Sequence, residues 1–105
     1  MFLSVVSPIY NSANSIDELV KSILKIVETS STGAFEIILV DDGSSDNSWN
    51  TIELLASETS SLKGVKLSRN FGQHYAISCG IEQAAGEWIV VMDGDLQDNP
   101  SEIGK

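Results

Sequence analysis

Trp88-Ile89-Val90-Val91-Met92-Asp93-Gly94-Asp95 is a run of five apolar residues followed at once by two carboxylates flanking a glycine. A run that short, apolar at consecutive positions, reads as a strand buried on both faces, the kind found in parallel sheets covered by helices. The two acids then stand at the mouth of that strand. Residues i and i+2 of an extended chain lie about 6–7 Å apart on the same side, and Gly94 lets the backbone bend so that both can reach one ion. Oxygen ligands of this type suit Mg²⁺ or Mn²⁺, which commonly join one or two carboxylates to substrate phosphates. Two acids in an exposed turn would look the same in isolation, so the pair takes its weight from its place at a strand end.

Outward from that stretch the chain alternates two periodicities. Phe2 to Ser7 reads as a strand, and Ile16, Leu19, Val20, Ile23, Leu24 and Val27 then recur at helical spacing behind a Ser15–Glu18 capping box. Glu36 to Val40 is a second strand, ending at Asp41-Asp42-Gly43, and a second helix from about Asp46 turns Trp49, Ile52, Leu55 and Ala56 inward. Val65 to Leu67 is a third strand. Gln73 to Ala85 is a third helix, whose Ala76, Gly80 and Ala84 form a small-residue stripe. Asn99 and Pro100 open a further helix that the chain end at Lys105 cuts short. Cys79 lies on the packed side of the third helix and reads as a core thiol, and Trp49 and Trp88 as core or strand-edge residues.

Strand and helix alternating four times predict an α/β, Rossmann-like nucleotide-binding half, a parallel sheet of order 3-2-1-4 with helices on both faces. In such a sheet ligands bind beyond the carboxyl ends of the strands, near the switch point between strands one and four. The loops that fall there are Pro8-Ile9-Tyr10-Asn11, Asp41-Asp42-Gly43-Ser44 and Asp93-Gly94-Asp95, so three polar clusters far apart in sequence converge on one crevice.

The 105 residues, 42% hydrophobic with a mean hydropathy of +0.05, are expected to form a single domain, 1–105, and its last helix, opening at Asn99, is expected to be cut short at the C-terminal end. Fifteen acidic against six basic residues, a formal charge of −9, argue against a nucleic-acid partner or a general anionic-membrane binder, both of which need a basic footprint. One cysteine and one histidine leave no internal disulfide and no zinc site of the usual spacing, and point to a reducing compartment. No run approaches the ~18 apolar residues of a membrane span.

The residues then match a family. Pro8-Ile9-Tyr10-Asn11, Val40-Asp41-Asp42-Gly43-Ser44-Ser45-Asp46, Arg69-Asn70-Phe71-Gly72 with Ala76 and Gly80, and Gly86-Glu87 before Val91-Met92-Asp93-Gly94-Asp95-Leu96-Gln97-Asp98-Asn99-Pro100 resemble the inverting family 2 glycosyltransferases of the GT-A fold. The Asp-Leu-Gln-Asp-x-Pro ending is most similar to the polyprenyl-phosphate and dolichyl-phosphate sugar transferase branch. The resemblance implies that Asp41 accepts the ring N–H of uracil or guanine, since an ionised carboxylate only accepts. Pro8 and Tyr10 would wall the base, Tyr10 adding an aromatic face, with Ile9 and Asn11 beside them in the nucleotide-sugar site; Ser12 stands where the branch often has Glu after that Asn, a departure at the position of an acidic contact. Asp42, Asn70 and His74 would complete the nucleotide-sugar site, with Arg69 a second nearby cation. Asp42 to Ser45 read equally well as a turn and helix cap, and Asn70 with Gly72 as shaping their turn. Asp93, Gly94, Asp95 and Gln97 would meet the diphosphate, Asp93 and Asp95 holding Mg²⁺ or Mn²⁺.

What the resemblance implies is a metal-dependent transfer of a sugar from a UDP- or GDP-linked donor to polyprenyl phosphate, whose oxygen needs little deprotonation. The catalytic base is expected beyond Lys105, which would leave this stretch inactive by itself. Membrane contact is expected only through that missing part, with the full protein at the cytoplasmic face of a membrane and self-association through an open strand edge. A saccharide hydroxyl acceptor in cell-wall or surface polysaccharide synthesis is the second reading. A Mg²⁺-binding receiver-like signalling domain is a third, against which strand one ends in Ser7-Pro8 without a carboxylate.

Overall fold

The computed structural model describes residues 3–30 and 34–92. Its elements are β1 (Leu3–Ile9), α1 (Ile16–Ser30), β2 (Phe35–Asp41), α2 (Ser48–Glu58), β3 (Leu62–Lys66), α3 (Gln73–Gln83) and β4 (Trp88–Val91). All strand pairings are parallel and the order is β3-β2-β1-β4. The predicted architecture and strand order are therefore those of the molecule. Strand ends differ from the sequence expectation by a few residues, as β1 and β2 run on to Ile9 and Asp41.

Strand alternation decides which side each residue serves. Val5, Ile9, Ile37 and Leu39 point to one face and are buried with Ile16, Leu19, Ile23, Val27 and Ile52, the apolar stripes of α1 and α2. Val6, Ile38 and Val40 point to the other and pack with Ala76 of α3. Burying each such side chain is worth about 1.5–3 kcal/mol, so the two-sided core accounts for the unbroken apolar runs of β1 and β2. The small-residue stripe of α3 has a steric reason: a Cβ on Gly80 would run into Val6 Cγ1 and stand 3.0 Å from Val40 Cγ2. Cys79 beside it is half-buried.

Helix α2 begins at Ser48, two residues later than expected. The Asp46 carboxylate accepts from both the backbone N–H and the hydroxyl of Ser48, so this acid caps the helix from just outside it. Strand β4 corrects the reading that opened the sequence analysis. Among the described residues it is a sheet edge with Trp88 61% and Val91 41% exposed, because α3 lies over β1 and β2 and α2 over β2 and β3. An unbroken apolar run marks a strand that needs cover, and the described residues do not supply it. No described helix is long and apolar enough to cross a membrane.

Candidate functional site at the carboxyl edge of the sheet

Two loops are zipped together where β1 and β2 end. Asn11 N–H donates to Ser44 Oγ at 2.9 Å, Ser12 N–H to Ser48 Oγ at 2.9 Å and Ala13 N–H to Asp46 Oδ2 at 3.2 Å. In return Asn11 Oδ1 accepts from Ser45 N–H at 2.8 Å. Asn11 holds a left-handed backbone, φ 49°, a conformation that Asn tolerates better than most residues. These bonds fix the loop that presents Tyr10, whose ring is 51% exposed at the edge. Pro8 and Ile9 behind it are buried within β1. Ile9 belongs to the core, and only its carbonyl, which accepts Asp42 N–H at 2.8 Å, takes part in the edge.

A third loop is pinned by Asp42. Its Oδ1 accepts Phe71 N–H at 2.8 Å, and its Oδ2 accepts Gly72 N–H and Asn70 Nδ2, each at 3.1 Å. Gly43 makes the approach feasible: at φ +72° it has no Cβ, and one would collide with the backbone C of Arg69 and N of Asn70. Asp42, 3% exposed, is thus engaged in holding residues 70–72, and Asn70 shapes that turn as expected. An acid already meets the backbone N–H groups before α3, where the sequence left room for phosphate. His74 and Arg69 are exposed nearby.

Asp41 differs from all its neighbours. It is fully buried at the end of β2, and its Oδ1 accepts Ser44 N–H at 3.2 Å. Its Oδ2 has no hydrogen-bond partner among the described residues. Buried carboxylate oxygens are almost always paired, so this acceptor is held in reserve. Ser7 Oγ is orphaned likewise, on the neighbouring strand and, by alternation, the same face. Sequence reasoning passed over Ser7; its one signal was a hydroxyl inside an apolar strand.

The ladder continues one residue past β4, with Met92 N–H donating to Val6 O at 2.9 Å, so the described chain ends at this same edge. Asp93, Gly94, Asp95 and Gln97, on which the diphosphate and metal expectations rest, lie outside the described residues. Among the described residues no group of three or more His, Cys, Asp or Glu could hold a metal ion.

At the opposite, amino end of the sheet lies a network the sequence did not disclose. Ser4 Oγ donates to Glu36 Oε2 at 2.6 Å and accepts Gly86 N–H at 2.9 Å; Ala85 N–H donates to the same Glu36 oxygen at 2.7 Å, and Lys63 Nζ pairs with Oε1 at 3.1 Å. Burial pushes the Glu36 carboxyl up, but the bonds from Ser4, Ala85 and Lys63 and the Lys63 charge outweigh it and hold its pKa below the ordinary 4.5. Asp46 shows the same balance, burial being outweighed by the Ser48 and Ala13 donors.

A twisted parallel α/β half with its polar loops gathered beyond the carboxyl ends of β1 and β2 defines the class, a mononucleotide-binding fold. Residues 4–105 match the family described as glycosyl transferase family 2, and the chain belongs to that family. It is 44% identical over 103 residues, 97% of its length, to the undecaprenyl-phosphate 4-deoxy-4-formamido-L-arabinose transferase of Shewanella sediminis. It covers 31% of that protein, about a third of the relative's length. Among solved structures it resembles S. aureus TarS 1-349 in complex with UDP-GlcNAc (TM-score 0.76, 32% identity, 90% of this chain and 27% of that one). It also resembles the mannosyltransferase PcManGT of Pyrobaculum calidifontis in complex with GDP-Man and Mn²⁺ (TM-score 0.77, 25% identity, 89% and 27%). The fold is accordingly that of the GT-A glycosyltransferases.

Proposed function

We propose that this chain is the donor-binding half of an inverting glycosyltransferase that moves a sugar from a UDP- or GDP-linked donor to polyprenyl phosphate. The observation that carries the reading is the unspent Asp41 Oδ2, a buried acceptor at the ligand edge of the sheet. It suits the ring N–H that uracil and guanine offer and that adenine and cytosine lack. Tyr10 gives the base an aromatic face, and the loops of Asn11 and Asp42 hold that wall in place. The Shewanella relative is named for a lipid-phosphate acceptor, and the two structural neighbours were solved with UDP- and GDP-linked sugars. These similarities support the class of donor and acceptor.

Asp93 and Asp95, with Gln97 alongside, are the residues proposed to hold Mg²⁺ or Mn²⁺ on the diphosphate; when bound, the ion supplies charge compensation for the departing nucleoside diphosphate. Asp42 and His74 act in this reading through the loop before α3 and at its exposed start. Calorimetric titration with UDP, GDP, ADP and CDP, in Mn²⁺ and in chelator, tests the proposal. UDP or GDP should bind, and do so much better with the metal, because the phosphates otherwise face two unscreened carboxylates. Asp95→Asn should remove most of that metal effect. Equal affinity in chelator sinks the metal role, and binding of all four nucleotides alike sinks the role of Asp41.

A further inference from the structure

Lys66 closes β3 directly beside Asp41: in the parallel register the two are lateral partners, as Ile9 and Asp41 are on the other side. Lateral partners send their side chains to the same face of a sheet, and Gly64, two residues earlier on β3, identifies that face. A Cβ there would collide with Ile52 Cγ2 and stand 3.1 and 3.2 Å from two ring carbons of Trp49, so Asp41 and Lys66 both look toward α2. Lys66 runs along the indole that this glycine admits, its Nζ 5.9 Å from the ring. That separation is the outer limit of a cation–π contact, about 6 Å. Lys66 is exposed and makes no ion pair among the described residues, and no acid falls between residues 59 and 81. A loosely held ammonium thus stands one strand away, about 4.8 Å between backbones, from a carboxylate whose Oδ2 is unpaired among the described residues.

We propose that Lys66 is the second base-reading residue of the donor site, its ammonium donating to the exocyclic carbonyl oxygen beside the ring N–H, O4 of uracil or O6 of guanine. The assignment rests on the reading of Asp41 given above. Asp41 as a carboxylate only accepts and Lys66 only donates, so side by side they present an acceptor and a donor in fixed order. Uracil and guanine share the complementary edge, an N–H with a carbonyl next to it. Cytosine and adenine carry the inverse edge, and in the same pose their amino group would face the ammonium and their bare ring nitrogen the carboxylate, two repulsive contacts. The flexible four-carbon stem lets the ammonium leave the indole for the carbonyl while the backbone stays in the sheet. Direct pairing with Asp41 is the competing use of the same cation, and the ammonium stands on Trp49 instead.

Calorimetric titration of the intact protein and of Lys66→Met, with UDP against 4-thio-UDP and GDP against 6-thio-GDP, tests the assignment. The thio analogues keep the ring N–H for Asp41 and replace the neighbouring oxygen by sulfur, a weaker acceptor. The parent should prefer the oxygen nucleotide roughly tenfold. Lys66→Met, whose stem still covers Trp49, should bind that nucleotide about tenfold more weakly and lose the preference, while Lys66→Arg keeps it. Thermal melts separate this from a structural role, which would lower the melting temperature and leave the preference for oxygen in place. The assignment is overturned if the parent does not distinguish oxygen from sulfur, if Lys66→Met binds UDP or GDP as the parent does, or if its preference for oxygen persists. Those outcomes strike Lys66 alone; failure of the parent to bind either nucleotide would strike the reading of Asp41 and the assignment together.

Discussion

Strand β2 carries a buried carboxylate at each end, and the two are employed in opposite ways. Glu36, at the start, accepts from Ser4, Ala85 and Lys63 and has both oxygens engaged. Asp41, at the finish, spends one oxygen on Ser44 and keeps the other buried and unpaired among the described residues. A fully satisfied polar network stabilises and specifies a fold, whereas an unsatisfied one costs stability. The comparison separates a structural acid from a ligand-seeking one on the same strand. Asp42, one residue on, belongs with Glu36: its oxygens are engaged with the loop at 70–72.

The largest effect that bears on this contrast is expected at Gly43, where the loop carrying Asp42 touches the loop it pins. Gly43→Ala combines a strained positive φ with a collision against backbone that no side-chain rotation relieves. It should cost about 3 kcal/mol or more, seen in urea melts as a large fall in the midpoint. A loss under ~1 kcal/mol would mean that the two loops are not held as described. Asp42→Ala comes next, leaving the backbone N–H groups of Phe71 and Gly72 without their acceptor while the Asn70 amide keeps the Asp42 carbonyl, at roughly 2–3 kcal/mol. Nucleotide affinity should fall with it only as far as the loop loosens. If Asp42→Ala is fully stable yet blind to nucleotide, Asp42 is a ligand residue and the contrast has been drawn in the wrong place.

Glu36→Gln sharpens the other side, at roughly 1–2 kcal/mol. Its pH dependence has a definite sign. The folded carboxyl is held below 4.5, so the folded state binds fewer protons than the unfolded one, and stability is lost as pH falls through and below 4.5. Glu36→Gln should flatten that acid limb while leaving UDP or GDP binding at neutral pH intact. An unchanged acid limb would show that the network at the amino end contributes nothing to stability.

Much of this was legible in the sequence, for physical reasons. Strand alternating with helix gave the parallel sheet and, through right-handed crossovers, its order, and the acids that end β2 marked the edge where ligands bind, because in a parallel sheet every carboxyl end lies at one edge. The stripe of Ala76 and Gly80 announced the close contact with Val6 and Val40. The employment of Asp42 and Glu36 was not legible. Side-chain bonds from Asp42 to residue 71 or from Glu36 to residue 85 span 29 and 49 positions and leave no periodicity to detect. Glu36 did leave a faint sign, an acid opening an apolar strand and facing a serine in the next. The exposed β4 is the open strand edge expected beside a last helix too short to cover it, and it departs only from the two-sided burial that its apolar run by itself suggests, because a strand's own residues say that it wants cover, not whether cover is near. Asp93 and Asp95, the most informative pair in the sequence, lie outside the described residues.

The central claim rests on Asp41, and one pair of titrations on Asp41→Asn tests it most directly. The substitution keeps an oxygen for Ser44 N–H, removes a buried charge and replaces the spare acceptor with a donor. Thermal stability should therefore hold within about 1 kcal/mol or rise, while calorimetric affinity for UDP or GDP falls at least tenfold and the preference over ADP and CDP disappears. An Asp41→Asn protein that binds these nucleotides as the parent does, or that unfolds as readily as Glu36→Gln, would show that the two ends of β2 do the same work.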